Sequence, residues 1–352
     1  MLGRIVCDLG RSENNPRNSE GAFIRAKSGD ILFAYSKYTG ESANDHAPCD
    51  IALLRSSDEG ESWRFDKIIA RAKDFGTENL MSVSSLTHLD SSISFYFLVK
   101  EADGTSTYGV VTSPDGDNFY AADAKRCGFL ARSAYYVINN DRILRTSDGN
   151  LLLPAARYDE IREPLPAAVA TILISEDDGK SFRETSVELR SEHTINALYG
   201  LQEPGITEAD EGLYFWFRTN YGCQYFSVSK GTSLDFTEPL PSPFTSPRSP
   251  MQIKKIDGEY FAIYNPIPSY NGRESLCAGR TPIVIRRSLD NKNYGEINVI
   301  EDDDTRGYCY PAIFKTADDS LLISYCRGDK AVSESILSRT GINKISLSDI
   351  KN

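Results

Sequence analysis

The stretch Ser56-Ser57-Asp58-Glu59-Gly60-Glu61-Ser62-Trp63 constrains this chain more than any other feature, because weakened copies of it recur along the sequence. Its pattern is Ser, any residue, Asp, any residue, Gly, two of any kind, then an aromatic. Such a turn suits the link between two antiparallel strands. The Ser hydroxyl and the Asp carboxylate can bond backbone N–H groups of their own loop. Gly60 can take a positive φ, and Trp63 can fold beneath the loop as an apolar plug. Ser175 to Phe182 matches at all four key positions, and Ser113 to Phe119 is one residue shorter. Ser229 to Phe236 has Gly231 in place of the Asp, and Ser288-Leu289-Asp290 with Tyr294 has Lys292 in place of the Gly. The copies start at 56, 113, 175, 229 and 288, so a period of about 58 residues divides the 352-residue chain into six units.

Between these turns lie short runs rich in Val, Ile, Tyr and Phe, with few helix signals. Strand, tight turn, strand reads from Ala22 to Tyr35 and from Arg142 to Leu153. It returns at Gly205 to Phe217, Gln252 to Tyr264 and Ala312 to Tyr325, with a weaker instance at Leu86 to Leu98. Six small antiparallel sheets arranged radially make an all-β, six-bladed β-propeller, with a β-sandwich or solenoid as the runner-up. The run from Ile342 to Leu347 is expected to complete a blade with N-terminal residues. Residues 1–352 read as one domain, and Pro239 to Pro250 as a surface connection between blades.

Composition narrows the function. With 39 basic against 50 acidic residues the formal charge is −11. That disfavours nucleic acid or an anionic membrane as partner, each of which needs a concentrated positive face. The oligomeric state is not readable. The seven cysteines (Cys7, Cys49, Cys127, Cys223, Cys277, Cys309 and Cys326) are scattered without a C-x-x-C pair. Free cysteines and the lack of a leader at the start favour a cytoplasmic address. His46, His88 and His193 are isolated, so neither a metal nor another cofactor is expected.

In a propeller, polar residues at the starts of inner strands face the central channel. Asp45-His46 lies in a loop before the first turn box. Asn139-Asn140-Asp141-Arg142 enters an inner strand, as a turn with left-handed asparagines or as a polar site lining. Glu203 enters the next. Arg218 ends the apolar run Leu213 to Phe217, so its charge must be paired or ligand-facing. Arg280 and the Tyr308-Cys309-Tyr310-Pro311 run complete the set.

With these residues in place the chain resembles the sialidase (neuraminidase) superfamily, specifically the bacterial sialidase-like or BNR-repeat glycosyl hydrolases. The resemblance spans Asn15 to Tyr310, nearly the whole chain. The turn boxes are that family's Asp boxes, which are structural. The resemblance implies Asp45 as acid/base, Glu203 as the base that accepts the nucleophile's proton, and Tyr310 as nucleophile, with Tyr308 as fallback. It implies Arg218 and Arg280 as two of three arginines clamping a sugar carboxylate. A neutral phenol is apt because a carboxylate nucleophile would be repelled by the substrate's own carboxylate.

One departure bears on substrate. Sialidases open their first inner strand with an Arg-Ile-Pro type motif that supplies the first clamp arginine. Here the run reads Ser19-Glu20-Gly21-Ala22-Phe23. A Glu20 carboxylate beside a substrate carboxylate would cost roughly 4 kcal/mol at about 4 Å and an effective dielectric of about 20. Either Arg17 or Arg142 rebuilds the clamp, or the sugar is not an ordinary sialic acid. Three expectations follow: an exo-glycosidase of sialidase type, a hydrolase or lyase acting on another sugar such as a uronic acid, and a non-catalytic sugar-binding propeller. The small-carbohydrate partner is common to all three.

Overall fold

The turn boxes close as their residues dictate. Ser56 Oγ donates to Asp58 Oδ1 at 2.7 Å and accepts from Gly60 N at 2.9 Å, while Asp58 Oδ1 also accepts from Ser62 N at 3.0 Å. The box at Ser175 repeats these bonds at 2.8, 2.8 and 2.9 Å. In the boxes at Ser113 and Ser288, Asp115 and Asp290 each cap two backbone N–H groups. Where Gly231 replaces the Asp, Ser229 Oγ is buried without a hydrogen-bond partner among the described residues. Each aromatic then enters the core between neighbouring meanders: Trp63 packs against Phe23 and Phe33, and Phe182 meets Tyr96 and Tyr108 edge-on.

The computed structural model of the protein describes residues 1–160, 166–191, 199–268, 279–332 and 334–351; Cys277 and His193 lie outside the described residues. The fold is all-β, with antiparallel meanders in a propeller-like arrangement. The described residues form five hydrogen-bonded sheets. The eight-stranded one contains two meanders, Asn18–Arg25 to Arg64–Ala70 and Asn79–Thr87 to Lys125–Arg126. A single parallel pair, Cys49 with Asn79, joins them. Leu151–Tyr158 centres the next sheet, pairing with both Tyr135–Val137 and Leu144–Arg145. Meanders beginning at Gln202–Ala209 and Gln252–Ile256 follow. The last sheet pairs Cys309–Lys315, Ser320–Cys326 and Thr340–Ser346, and takes Arg4–Leu9 as its outer strand. The C-terminal strand thus meets the N-terminal one as expected. First strands of neighbouring meanders lie side by side, Asn18–Arg25 next to both Asn79–Thr87 and Cys309–Lys315.

One reading is corrected. Part of Pro239 to Pro250 is strand: Leu240–Thr245 pairs with Cys223–Val228 at a sheet edge. Proline cannot donate to a ladder, but an edge strand has one side free of that demand, which admits Pro241 and Pro243.

Candidate active site

The site is built on a repeated irregularity of the first strands. In four of them the register slips by one residue, between Asn18 and Gly21, Met81 and Ser84, Gln202 and Gly205, and Cys309 and Ala312. An extra residue at each point is a β-bulge, which re-aims a side chain. At three of the four, the residue after the first has a left-handed backbone: Ser82 (φ 60°), Glu203 (φ 43°) and Tyr310 (φ 55°). Glu203 and Tyr310 each precede a proline, which makes helical backbone angles harder still. Such conformations cost about 1–3 kcal/mol each and persist where packing enforces them. The packing is visible at Gly205, where a Cβ would lie 2.1 Å from the Trp216 ring.

These two bulges bring the predicted pair together. Tyr310 Oη donates to Glu203 Oε1 at 2.7 Å, and Arg218 Nη1 donates to Glu203 Oε2. Arg280 lies alongside, its carbonyl accepting from Tyr308 N at 2.7 Å and its Nη2 donating to the Arg248 carbonyl at 3.3 Å. Glu203, Arg218 and Arg280 are all buried. Burial pushes the Glu203 carboxyl up, but Arg218 foremost, with Arg280 and the Tyr310 hydroxyl, holds it below its ordinary value. Burial and then the Glu203 charge push the Tyr310 phenol well above its ordinary value, against the pull of both arginines. The resting proton therefore belongs to Tyr310, and Glu203 stands ionised to receive it.

A second cluster gathers around Arg17. Arg17, only 2% exposed, donates through Nη2 to Ser19 Oγ at 3.0 Å and through Nη1 to Asp45 Oδ1 at 2.5 Å. Its guanidinium lies 4.4 Å from the Tyr38 ring centre and 3.8 Å from Glu20 Oε2. Glu20 accepts from Ser19 Oγ and, at 3.4 Å, from Ser82 Oγ. Burial raises the Asp45 carboxyl, but the Arg17 charge and hydrogen bond, helped by Lys100 and His46, hold it below its usual range. The structure thus joins Arg17, Glu20 and Asp45 in one cluster, and Glu203, Tyr310, Arg218 and Arg280 in another.

The remaining candidates are placed elsewhere. Asn140 Nδ2 donates to the carbonyls of Gly21 and, at 3.4 Å, Tyr310, a backbone lock across first strands. The left-handed residue of that turn is Asp141 (φ 54°), not an asparagine, and its carboxylate takes Lys254 Nζ at 2.7 Å and Ile313 N at 3.3 Å. Arg142 is buried against the Trp216 ring and donates to the Met251 carbonyl at 2.8 Å. Neither Asp141 nor Arg142 hydrogen-bonds a member of the two clusters. Tyr308 lies in the core and donates to Glu301 at 3.3 Å, so its hydroxyl is turned away from Glu203. His46 is exposed, with its ring 6.4 Å from that of Tyr135.

Three groups were not singled out from the sequence. Tyr135 packs 5.7 Å from Tyr158 and feels the charges of both Asp45 and Glu203, so it bridges the clusters. Tyr158 Oη accepts from Gln202 Nε2 at 3.0 Å, one residue from Glu203. Lys100 Nζ donates to the Asp45 carbonyl at 2.6 Å, and burial pulls its pKa down to about 8. A lysine ending the apolar run Ile93 to Val99 was the one available signal, of the same kind that marked Arg218. Among the described residues no group of three or more His, Cys, Asp or Glu side chains is arranged to hold a metal ion.

The arrangement offers an ionised base touching a neutral phenol, with a carboxyl group in a second cluster. The model of the BNR repeat-like domain family matches residues 90–323, more than half of the chain. No curated protein matches. Among solved structures, a Hadza microbial sialidase, Hz136, superposes with a TM-score of 0.73 at 15% identity, over 96% of this chain and 67% of that one. The NanB sialidase from Streptococcus pneumoniae superposes with a TM-score of 0.70 at 13% identity, over 100% and 71%. A protein of unknown function from Dyadobacter fermentans gives 0.68 at 18% identity, over 97% and 99%. At such identities the likeness is one of fold.

Proposed function

The chain belongs to the BNR repeat-like family, and from that premise we propose that it is a retaining exo-glycosidase of the sialidase type, hydrolysing a terminal acidic sugar. The observation that carries this reading is the 2.7 Å bond from Tyr310 to a Glu203 that Arg218 keeps ionised. A sugar-binding protein has no use for a base aimed at a phenol.

In the first step the Tyr310 oxygen bonds to the anomeric carbon as its proton passes to Glu203. The glycosidic C–O bond breaks, and Asp45 supplies a proton to the departing oxygen. In the second step water, deprotonated by Asp45, displaces Tyr310, which recovers its proton from Glu203. Two displacements retain the anomeric configuration. In this reading Arg218 and Arg280, both buried beside the pair, hold the negative group of the sugar.

The scaffold reading that goes with this is one six-bladed domain. We take the eight-stranded sheet as two blades joined by the lone Cys49–Asn79 pair, which with the other four sheets makes six. A second substrate reading, a uronic acid, is favoured by one observation: Arg17 is already engaged by Asp45 and Glu20.

Release of 4-methylumbelliferone from its α-sialoside, with Tyr310→Phe as control, tests the reading. Turnover that disappears in the variant supports a sialidase. Turnover on uronides alone supports the second substrate, and full activity of Tyr310→Phe on any glycoside overturns the mechanism.

A further inference from the structure

Arg17 and Asp45 form an unequal pair. Arg17 is almost wholly buried, whereas the Asp45 side chain is 58% exposed. The cation is fixed by Ser19, by the Tyr38 face and by Glu20. Apart from Arg17, the hydrogen bonds that hold Asp45 among the described residues go to its backbone, whose carbonyl accepts from Lys100 at 2.6 Å and from Asn79 Nδ2 at 3.2 Å. Its carboxylate can therefore leave Arg17 by side-chain rotation alone, with the loop in place. Arg17 would not be stranded, because Glu20 stays 3.8 Å away as a second counter-charge. One arginine thus faces two carboxylates, and the outer of the two is the replaceable one.

The role given to Asp45 above conflicts with this resting state. A group that protonates a leaving oxygen must hold a proton, and a carboxylate clasped by an arginine does not. We propose that Arg17 exchanges partners: in the empty site it holds Asp45, and an anionic group on the incoming sugar takes its place, releasing Asp45 to pick up a proton from solvent. Loss of the arginine and arrival of a second negative charge both raise the proton affinity of the freed carboxyl. The charges acting on it are then Lys100 and His46, with Glu20 behind Arg17; Cys49, Tyr38 and Tyr135 border the cluster.

The inference rests on the reading of Asp45 as the acid, and it makes Arg17 a positioning residue that couples substrate charge to acid catalysis. It selects for terminal sugars that carry a negative charge within reach of Arg17. A neutral sugar would bind with Asp45 still clasped and without an acid.

The test is an NMR titration of the Asp45 carboxyl in the full chain, carbon-13 labelled, with Asp45→Asn to assign the resonance. N-acetylneuraminic acid and glucuronic acid serve as anionic probes and glucose as the neutral one. Saturation with at least one sugar acid is expected to move the Asp45 midpoint up by about one to three pH units, and glucose to leave it in place. Arg17→Met is expected to raise the midpoint without any probe; if that variant does not fold, the probe titration of the unmodified chain decides. No movement with either sugar acid, or equal movement with glucose, overturns the inference. An Asp45 that responds in a chain inert toward every glycoside would keep the exchange and sink the acid role. Turnover without a response would do the reverse.

Discussion

Tyr310 and Glu203, 107 residues apart in sequence, occupy equivalent bulges of two first strands and share a 2.7 Å hydrogen bond. Each is followed by proline and each has a left-handed backbone. The pair acts as a unit, so its two contributions to rate are expected not to add. Glu203→Gln is expected to lower kcat by about 10²–10⁴-fold, and Tyr310→Phe by at least ~10³-fold. The double variant should be little worse than Tyr310→Phe alone. Steady-state kinetics of the three variants decide, and fully multiplicative losses would separate the two residues.

Removal of Arg218 would leave Glu203 ionised, buried and without its main counter-charge. Arg218→Met is expected to cost about 3–5 kcal/mol of stability, measured by urea denaturation at pH 7. The Arg218→Met, Glu203→Gln double variant should recover part of that. A single-variant loss below ~1 kcal/mol, the size of a surface pair, would mean that the ion pair is open to water.

Lys100 carries a pH signature. Burial lowers its pKa from 10.5 to about 8 in the folded chain, while the unfolded chain keeps the higher value. Between those limits the unfolded state binds more protons, so this group makes stability rise with pH. Buried tyrosines and thiols with raised pKa values act in the opposite sense, so the informative quantity is a difference. From pH 7.5 to 10 the unmodified chain should gain stability relative to Lys100→Met, followed by denaturant titration. Parallel profiles would place Lys100 in water.

The degenerate turn supplies an internal control. Ser56 Oγ makes two hydrogen bonds within its box, and Ser229 Oγ has no partner among the described residues. Ser56→Ala is expected to cost about 1 kcal/mol or more, and Ser229→Ala, which removes a buried hydroxyl without a partner, to cost nothing or to stabilise by up to about 1 kcal/mol. Thermal melts of both variants check this, and equal losses would deny the box its structural role.

The turn boxes, the strand–turn–strand grammar and the meeting of the chain's two ends were legible because each depends on local chemistry. A serine, an aspartate and a glycine at fixed offsets close one turn, and alternating apolar residues make one strand. Arg218 was legible for a related reason, since a charge ending an apolar run needs a partner. The first-strand bulges were not legible. Left-handed backbone at Glu203 and Tyr310 contradicts what a residue before proline prefers, and only packing such as Trp216 against Gly205 enforces it.

What the amino-acid sequence determined by itself was the all-β character, the repeat, and a short list of polar residues at strand starts. Within that list, tertiary structure alone separated Tyr310, on the strand Cys309–Lys315, from Tyr308 just before it. The bulge between Cys309 and Ala312, with left-handed backbone at Tyr310, accompanies a Tyr310 hydroxyl bonded to Glu203, while the Tyr308 hydroxyl stays with Glu301. It also showed that Arg17 is clasped by Asp45 and Glu20. Both facts depend on which side chains meet across the closed fold, and pairing over such sequence distances leaves no local trace in the residues that make it.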